Sequence, residues 1–99
     1  MPQIIYSRNA LPNLESLYRI LVDKNPDAAL RAIQTIRTKV KTLSRLPRLG
    51  RIDPEQPDYR ELLIAFGAAG YFARYRPDAK LVVILAIRHM REAGYHIED

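Results

Sequence analysis

The chain has 99 residues, 47% of them hydrophobic, which predicts one domain over residues 1–99. It has no cysteine and only two histidines, so disulfides and thiolate metal sites are excluded, and neither a metal nor a cofactor is expected. The net charge is +5. Neither a signal-peptide pattern nor an apolar run of about 20 residues is present, so the sequence predicts a soluble cytoplasmic protein.

The first part of the chain predicts a strand and an amphipathic helix. Residues 3–7 alternate and are β-branched or aromatic, which is typical of a short strand. Apolar residues then recur every three or four positions, so a helix is expected that ends before Asn25. Ser7 and Asn9 are both candidate caps for its start.

A second helix is predicted to begin at Asn25. Asparagine is a preferred cap, and Pro26 has the backbone angle that the first helical position needs. The apolar period continues as far as Leu46, and Pro47 marks the predicted end. Two amphipathic helices with a tight break between them make a helical hairpin.

Four cations follow one another along the second predicted helix at spacings of four, four and three residues: Arg37, Lys41, Arg45 and Arg48. That spacing places them on one helix face. Residues 1–50 carry +6 (nine Lys and Arg minus three Asp and Glu), whereas residues 51–99 carry −1 (seven minus eight). This basic stripe is interpreted either as a solvated face or as a contact for an acidic segment or nucleic acid.

A proline-rich loop separates the helices from three strand-like runs joined by two short turns: residues 59–66, 71–76 and 81–87. Short turns predict an antiparallel meander. The middle run divides into residues expected to face the helices, Tyr71, Ala73 and Tyr75, and residues expected on a more open face, Phe72, Arg74 and Arg76. The last run, LVVILAI, is apolar at both parities, so it is expected inside the sheet and covered on both faces.

The predicted order is strand, helix, helix, strand, strand, strand. This is an α+β fold in which the N-terminal strand and the helical hairpin pack on an antiparallel-rich four-stranded sheet, β-α-α-β-β-β. The sheet face away from the helices is expected to stay open and to carry cations.

Five arginines on or beside these strands are candidate binding residues for a target or for phosphate: Arg60, Arg74, Arg76, Arg88 and Arg91. Guanidinium groups bind phosphate or carboxylate in a fixed fork. Whether these cations converge is open, because the group around Arg88 follows the far end of its strand. His89 could serve as a base on an RNA 2′-hydroxyl, and Tyr95 as a proton donor; without such chemistry, His89 simply ends a strand and Tyr95 packs the tail.

The order and spacing of several short motifs resemble the RelE/ParE superfamily of toxins from bacterial type II toxin–antitoxin systems, with most similarity to the ParE, or plasmid-stabilisation, branch. The motifs are Asn25-Pro26 with Ala28-Ala29, Pro47 with Gly50-Arg51, Arg60-Glu61-Leu62, Gly70-Tyr71 with Tyr75-Arg76, and Arg88-His89 with Arg91-Glu92. The resemblance implies a cognate antitoxin whose acidic, partly disordered segment wraps the toxin. The basic stripe Arg37, Lys41, Arg45 and Arg48 is then the candidate antitoxin contact.

Two activities occur in this superfamily, and the resemblance leaves both open. RelE-like members cleave messenger RNA on the ribosome, and ParE-like members inhibit DNA gyrase without a hydrolytic site. For a nuclease, the resemblance places Tyr95 near a C-terminal tyrosine and His89 or Arg88 near a basic residue of the site, with Arg91 beside them. Glu61 and Leu63 stand where such nucleases carry lysines, so gyrase inhibition is favoured over an mRNA endoribonuclease or an inactive basic binding module.

Overall fold

Two helices, a short 3-10 helix and five strands make up residues 1–90, the part of the chain that the computed structural model describes. The elements are β1 Gln3–Tyr6, α1 Ala10–Val22, α2 Pro26–Lys41, the 3-10 helix Thr42–Ser44, β2 Arg51–Ile52, β3 Arg60–Phe66, β4 Ala69–Pro77 and β5 Leu81–His89. The α+β class and the order of the predicted elements are confirmed. Within the described residues, no helix has the length and apolar character needed to cross a membrane.

The sheet has the strand order β1-β5-β4-β3-β2, with β1 parallel to β5 and every other neighbour antiparallel. Between the parallel strands β1 and β5, the chain passes through the helical hairpin and then through β2, β3 and β4. The prediction of four strands was wrong by one, because β2 forms within the segment read as a loop. Its two residues are too few to show an alternating pattern in the sequence.

The helix boundaries follow their caps. The Ser7 hydroxyl accepts the Ala10 N–H at 3.2 Å at the start of α1, whereas Asn9 makes no side-chain cap. Asn25 Oδ1 accepts the Ala28 N–H at 3.1 Å, which confirms the predicted start of α2.

The second helix is shorter than the sequence predicted. It ends at Lys41, and not near Leu46, and continues as a single 3-10 turn. The Thr42 hydroxyl donates to the Lys39 carbonyl at 2.6 Å, and the Ser44 hydroxyl donates to the Lys41 carbonyl at 2.9 Å. Hydroxyls bonded to nearby backbone compete with continued helix, so the apolar period outlasts the helix itself.

Both helices pack on one face of the sheet, where the core lies. The buried strand residues are Leu62, Ile64, Tyr71, Ala73, Tyr75, Val82, Ile84 and Ile87, and the helical side includes Leu14, Leu17, Ala32, Ile36, Val40 and Leu43. The predicted division of the middle strand, β4, into two faces is confirmed. The last strand, β5, lies inside the sheet as predicted, but helices cover it on one face only, and Leu81 and Val83 on the other face are half-buried.

A β-bulge interrupts β5 at Leu85. Arg74 of β4 lies opposite Ala86, whereas the next residue, Tyr75, lies opposite Ile84, so Leu85 is left without a partner in the ladder. One extra residue shifts the alternation of side chains by one position.

This bulge decides which side chains at the end of β5 face the helices. Before it, Val82 and Ile84 are buried in the core; after it, the buried residue is Ile87. The alternation therefore changes from even to odd numbers, which puts His89 on the helix side of the sheet and Arg88 on the other side.

Candidate functional site

The candidate site is the sheet surface turned away from the helices, here called the open face. Among the described candidates, Arg74 and Arg76 of β4 and Arg88 of β5 point to it, because their neighbours along each strand are the buried core residues. Its other residues include Glu61, Leu63, Phe72, Val83 and Ala86. Leu63, on β3 beyond the two residues that pair with β2, is 52% exposed.

Arg74 is held by the loop between β2 and β3. Its Nη2 lies 3.1 Å from the Asp53 carboxylate and donates to Gln56 Oε1 at 3.2 Å. Its guanidinium also stacks on the Tyr59 ring, 4.8 Å from the centroid. The charge of Arg74 is thus paired within the chain. Apart from the turn residues of the loop, nothing in the sequence indicated these partners.

Glu61 places a negative charge between two arginines of the open face. It lies directly opposite Arg74 on β4 and directly opposite Arg51 on β2. Opposite charges on neighbouring strands attract one another at these separations. The middle of the open face is therefore electrically balanced, which is unfavourable for a phosphate.

The remaining open-face cations are spread out. Arg88 lies opposite Phe72, and Arg76 is four residues further along β4, a separation of about 13 Å along the strand. Arg74 is a diagonal neighbour of Arg88, with about 7–8 Å between positions. The sequence leaves open whether the arginines converge; Arg74, Arg76 and Arg88 share the open face but do not form one cluster.

Arg60 does not belong to the open face. It lies opposite the buried Tyr75, and its Nη1 donates to the Arg48 carbonyl at 3.1 Å and to the Gly50 carbonyl at 2.8 Å. Its assignment as a target-binding or phosphate-binding residue stays a prediction; in the structure its guanidinium holds the loop before β2.

His89 also faces away from the open-face cations. Its ring meets the edge of the Tyr71 ring, 5.4 Å between centroids and nearly perpendicular at 87°, on the helix side of the sheet. Arg88, its neighbour in sequence, is on the other side. The described residues therefore do not bring the two candidates for a nuclease site to one surface.

The basic stripe predicted along α2 is divided in the structure. Arg37 and Lys41 lie on the helix, whereas Arg45 and Arg48 follow its end and occupy the loop. The prediction of one helix face was wrong for those two residues, because the helix stops at Lys41.

Arg37 and Lys41 border a cleft of about 270 Å³ beside β1, an edge strand of the sheet. Ile4, Tyr6 and Val40 give it an apolar lining. The Arg37 guanidinium lies 5.8 Å from the centre of the Tyr6 ring. Burial raises the pKa of Tyr6, and the positive charge of Arg37 partly opposes that rise.

Tyr75 holds the loop before β2 through two hydrogen bonds of its hydroxyl group. The Tyr75 hydroxyl accepts the Gly50 N–H at 2.8 Å and donates to the Pro47 carbonyl at 2.9 Å. Burial raises the pKa of Tyr75, while the Gly50 hydrogen bond and the Arg60 charge act in the opposite direction. Sequence reasoning placed Tyr75 in the core but missed this role.

Arg91 and Tyr95, the other two candidates, lie outside the described residues.

Comparisons with known proteins agree on one group. The family model described as the ParE toxin of type II toxin-antitoxin system, parDE, matches residues 4–94. A curated relative from Caulobacter vibrioides, named Toxin RelE3, is 37% identical over 92 residues, which cover 93% of this chain and 98% of that protein.

Two solved structures extend the comparison. One is titled as the chromosomal ParDE TA system from P. aeruginosa; it is 30% identical with a TM-score of 0.76 and covers 90% of this chain and 96% of its own. The YoeB dimer from Staphylococcus aureus has a TM-score of 0.56 at 14% identity, covering 88% of this chain and 94% of its own, and is similar in fold alone.

Proposed function

The chain belongs to the ParE toxin family of type II toxin–antitoxin systems, within the RelE/ParE superfamily, and we propose that it inhibits DNA gyrase by protein binding and is neutralised by a cognate antitoxin. The toxin class rests on the family match. The choice of gyrase inhibition rests on the open face, and one observation carries it: His89 lies on the helix side of the sheet, away from the arginines of the open face.

Cleavage of RNA through its 2′-hydroxyl needs a base, an acid and positive charge at the scissile phosphate on one surface. The bulge at Leu85 turns His89 toward Tyr71 and away from the arginines. A base on one side of a sheet cannot act on a phosphate held on the other side. The described geometry therefore favours a toxin that binds over one that cleaves.

The paired charges and the apolar residues of the open face support the same proposal. Arg74 is already paired with Asp53, and Glu61 lies between two arginines. The exposed Leu63 and the half-buried Val83 add apolar surface. Mixed apolar and charged surface is typical of protein contacts, whereas a nucleic-acid site concentrates unpaired positive charge.

For the antitoxin we propose the cleft beside β1. Its apolar lining can take a side chain of the antitoxin, and Arg37 and Lys41 at its border can pair with acidic residues of a flexible segment. This keeps two of the four residues of the predicted basic stripe in the antitoxin contact.

The second candidate function is a ribosome-dependent mRNA endoribonuclease. The name of the Caulobacter relative, Toxin RelE3, favours it. In that case Arg88, His89, Arg91 and Tyr95 would have to form the site together.

Two assays on the purified toxin separate the candidates: supercoiling by purified gyrase, and message cleavage in a translating extract. We expect inhibition of supercoiling, unchanged in His89→Ala and Tyr95→Phe, because neither residue is given a catalytic role by the proposal. Cleavage of message that disappears in either variant would refute the proposal in favour of the nuclease. Activity in neither assay, with normal growth on induction, would indicate an inactive binding module.

A further inference from the structure

The segment that follows the 3-10 helix, residues 45–52, is here called the basic loop. Its exposed side chains are cationic and aliphatic in alternation: Arg45, Leu46, Arg48, Leu49, Arg51 and Ile52. Leu46 is 56% exposed, Leu49 45% and Ile52 52%. Large apolar side chains grouped at a surface in this way commonly mark a contact with another molecule.

The backbone of the basic loop is held in one conformation. Tyr75 bonds the Gly50 N–H and the Pro47 carbonyl, and Arg60 bonds the Arg48 and Gly50 carbonyls. The polar groups of the backbone are thus turned inward, while the side chains point to solvent. A loop ordered before binding loses little conformational entropy when it meets a partner.

Gly50 makes this arrangement sterically feasible. A Cβ at this position would lie 2.6 Å from the Glu61 carbonyl oxygen and 2.7 Å from Cε1 of Tyr75. The close approach brings the loop onto the end of the sheet. Arg51 then lies beside Glu61 on the open face, so the basic loop extends that face.

Arg45 and Arg48 make no side-chain hydrogen bond or ion pair within residues 1–90, whereas Arg51 lies opposite Glu61. The nearby carboxylate of Asp53 is paired with Arg74 instead. Unpaired guanidinium groups favour an acidic partner. Aliphatic neighbours, and the lack of any aromatic residue in the loop for base stacking, favour protein over nucleic acid.

We propose that the basic loop is the surface with which the toxin contacts an acidic, partly apolar surface of its folded target protein. This inference rests on the proposed function in one respect, that the toxin acts by binding a protein. A folded target is preferred to the antitoxin because the loop is ordered and its backbone groups are already bonded. A flexible acidic segment would gain more from the cleft beside β1.

The test is a charge reversal with loss of one apolar side chain, Arg48→Glu with Leu49→Ser. The matched control is Leu30→Ser with Arg31→Glu on α2, where a leucine that is 53% exposed also adjoins an exposed arginine. Each variant is assayed for growth arrest on induction, for inhibition of purified gyrase, and for binding to the cognate antitoxin. Circular dichroism shows whether each is folded.

We expect the loop variant to need at least about tenfold more protein to inhibit gyrase or arrest growth, with the control close to wild type. Equal potency of the loop variant and wild type would overturn the inference, as would an equal loss in both variants. Weaker antitoxin binding with unchanged potency would also overturn it, because the loop would then belong to the antitoxin contact.

Failure of the inference is distinguishable from failure of the proposed function. If the wild-type toxin arrests growth without inhibiting gyrase, the proposed target is wrong. The inference still stands if growth arrest then depends on the loop, and falls if it does not. Should the first loop variant fail to fold, Arg45→Glu with Leu46→Ser tests the same surface at two other exposed residues.

Discussion

Replacing Tyr75 by phenylalanine should destabilise the protein by about 2–3 kcal/mol. The ring stays, so the packing of this fully buried side chain is kept and only the hydroxyl is lost. The Gly50 N–H is buried and loses its acceptor, which costs about 1–3 kcal/mol. The Pro47 carbonyl is partly buried and loses its donor, which adds about 1 kcal/mol or less.

The measurement is urea unfolding at neutral pH, followed by far-ultraviolet circular dichroism and compared at equal m-value. In a thermal melt the same loss lowers Tm by about 10 °C or more for a domain of this size. Tyr71→Phe is the matched control. Tyr71 is 3% exposed and its hydroxyl makes no hydrogen bond within residues 1–90, so its loss should cost under about 0.5 kcal/mol.

Tyr75 also predicts that the free energy of unfolding falls at alkaline pH. Burial raises the pKa of Tyr75 in the folded protein above its unfolded value of about 10. Its contribution is therefore fully present below pH about 10 and is lost as the pH rises through the folded-state pKa. The difference in unfolding free energy between wild type and Tyr75→Phe should shrink above pH about 10. A loss below about 0.5 kcal/mol at neutral pH would refute the role assigned to the hydroxyl.

Two further substitutions test the backbone. Gly50→Ala should cost about 1–3 kcal/mol, because the new methyl group would lie 2.6 Å from the Glu61 carbonyl oxygen. Gly67→Ala meets no neighbouring atom and costs only the strain of a φ of 61°, about 1–2 kcal/mol, and thermal unfolding measures both losses. Growth arrest should weaken in Gly50→Ala alone, because only Gly50 supports the basic loop. Asn25→Ala should cost about 1 kcal/mol through loss of the α2 cap, and Asn9→Ala, which removes no cap, should cost clearly less in the same urea assay.

Local signals in the sequence were enough for much of the fold. Asn25 and Pro26 act through atoms only a few residues apart, so the start of α2 could be predicted without knowing what packs around it. The alternation of Leu62 and Ile64 likewise identified the core side of β3. The end of α2 was missed because its apolar period continues past Lys41, where hydroxyl groups end the helix.

The faces of the candidate site were harder to predict. The run LVVILAI is apolar at every position, so it carries no sign of the shift at Leu85 that decides which of Arg88 and His89 faces the helices. In the sequence, Arg60 cannot be distinguished from the other arginines of the strands. The three-dimensional path of the loop before β2 shows that its partners are backbone carbonyls. A cation can be placed on a strand from sequence, but its pairing depends on residues far away in the chain.

The outer edge of β5 beyond the end of β1 is covered by the segment that leads into α1. The Ser7 N–H donates to the Ile84 carbonyl and the Ser7 hydroxyl to the Leu85 carbonyl, and the Ile87 N–H donates to Asn13 Oδ1. Another chain therefore has no run of backbone groups to pair with along this stretch. On the opposite side of the sheet, β2 pairs only with Arg60 and Glu61, so residues 62–66 of β3 have no partner among the described strands on their outer side. The sheet is therefore closed to an added strand along this part of β5, and such a strand would meet β1 or the outer side of β3 instead.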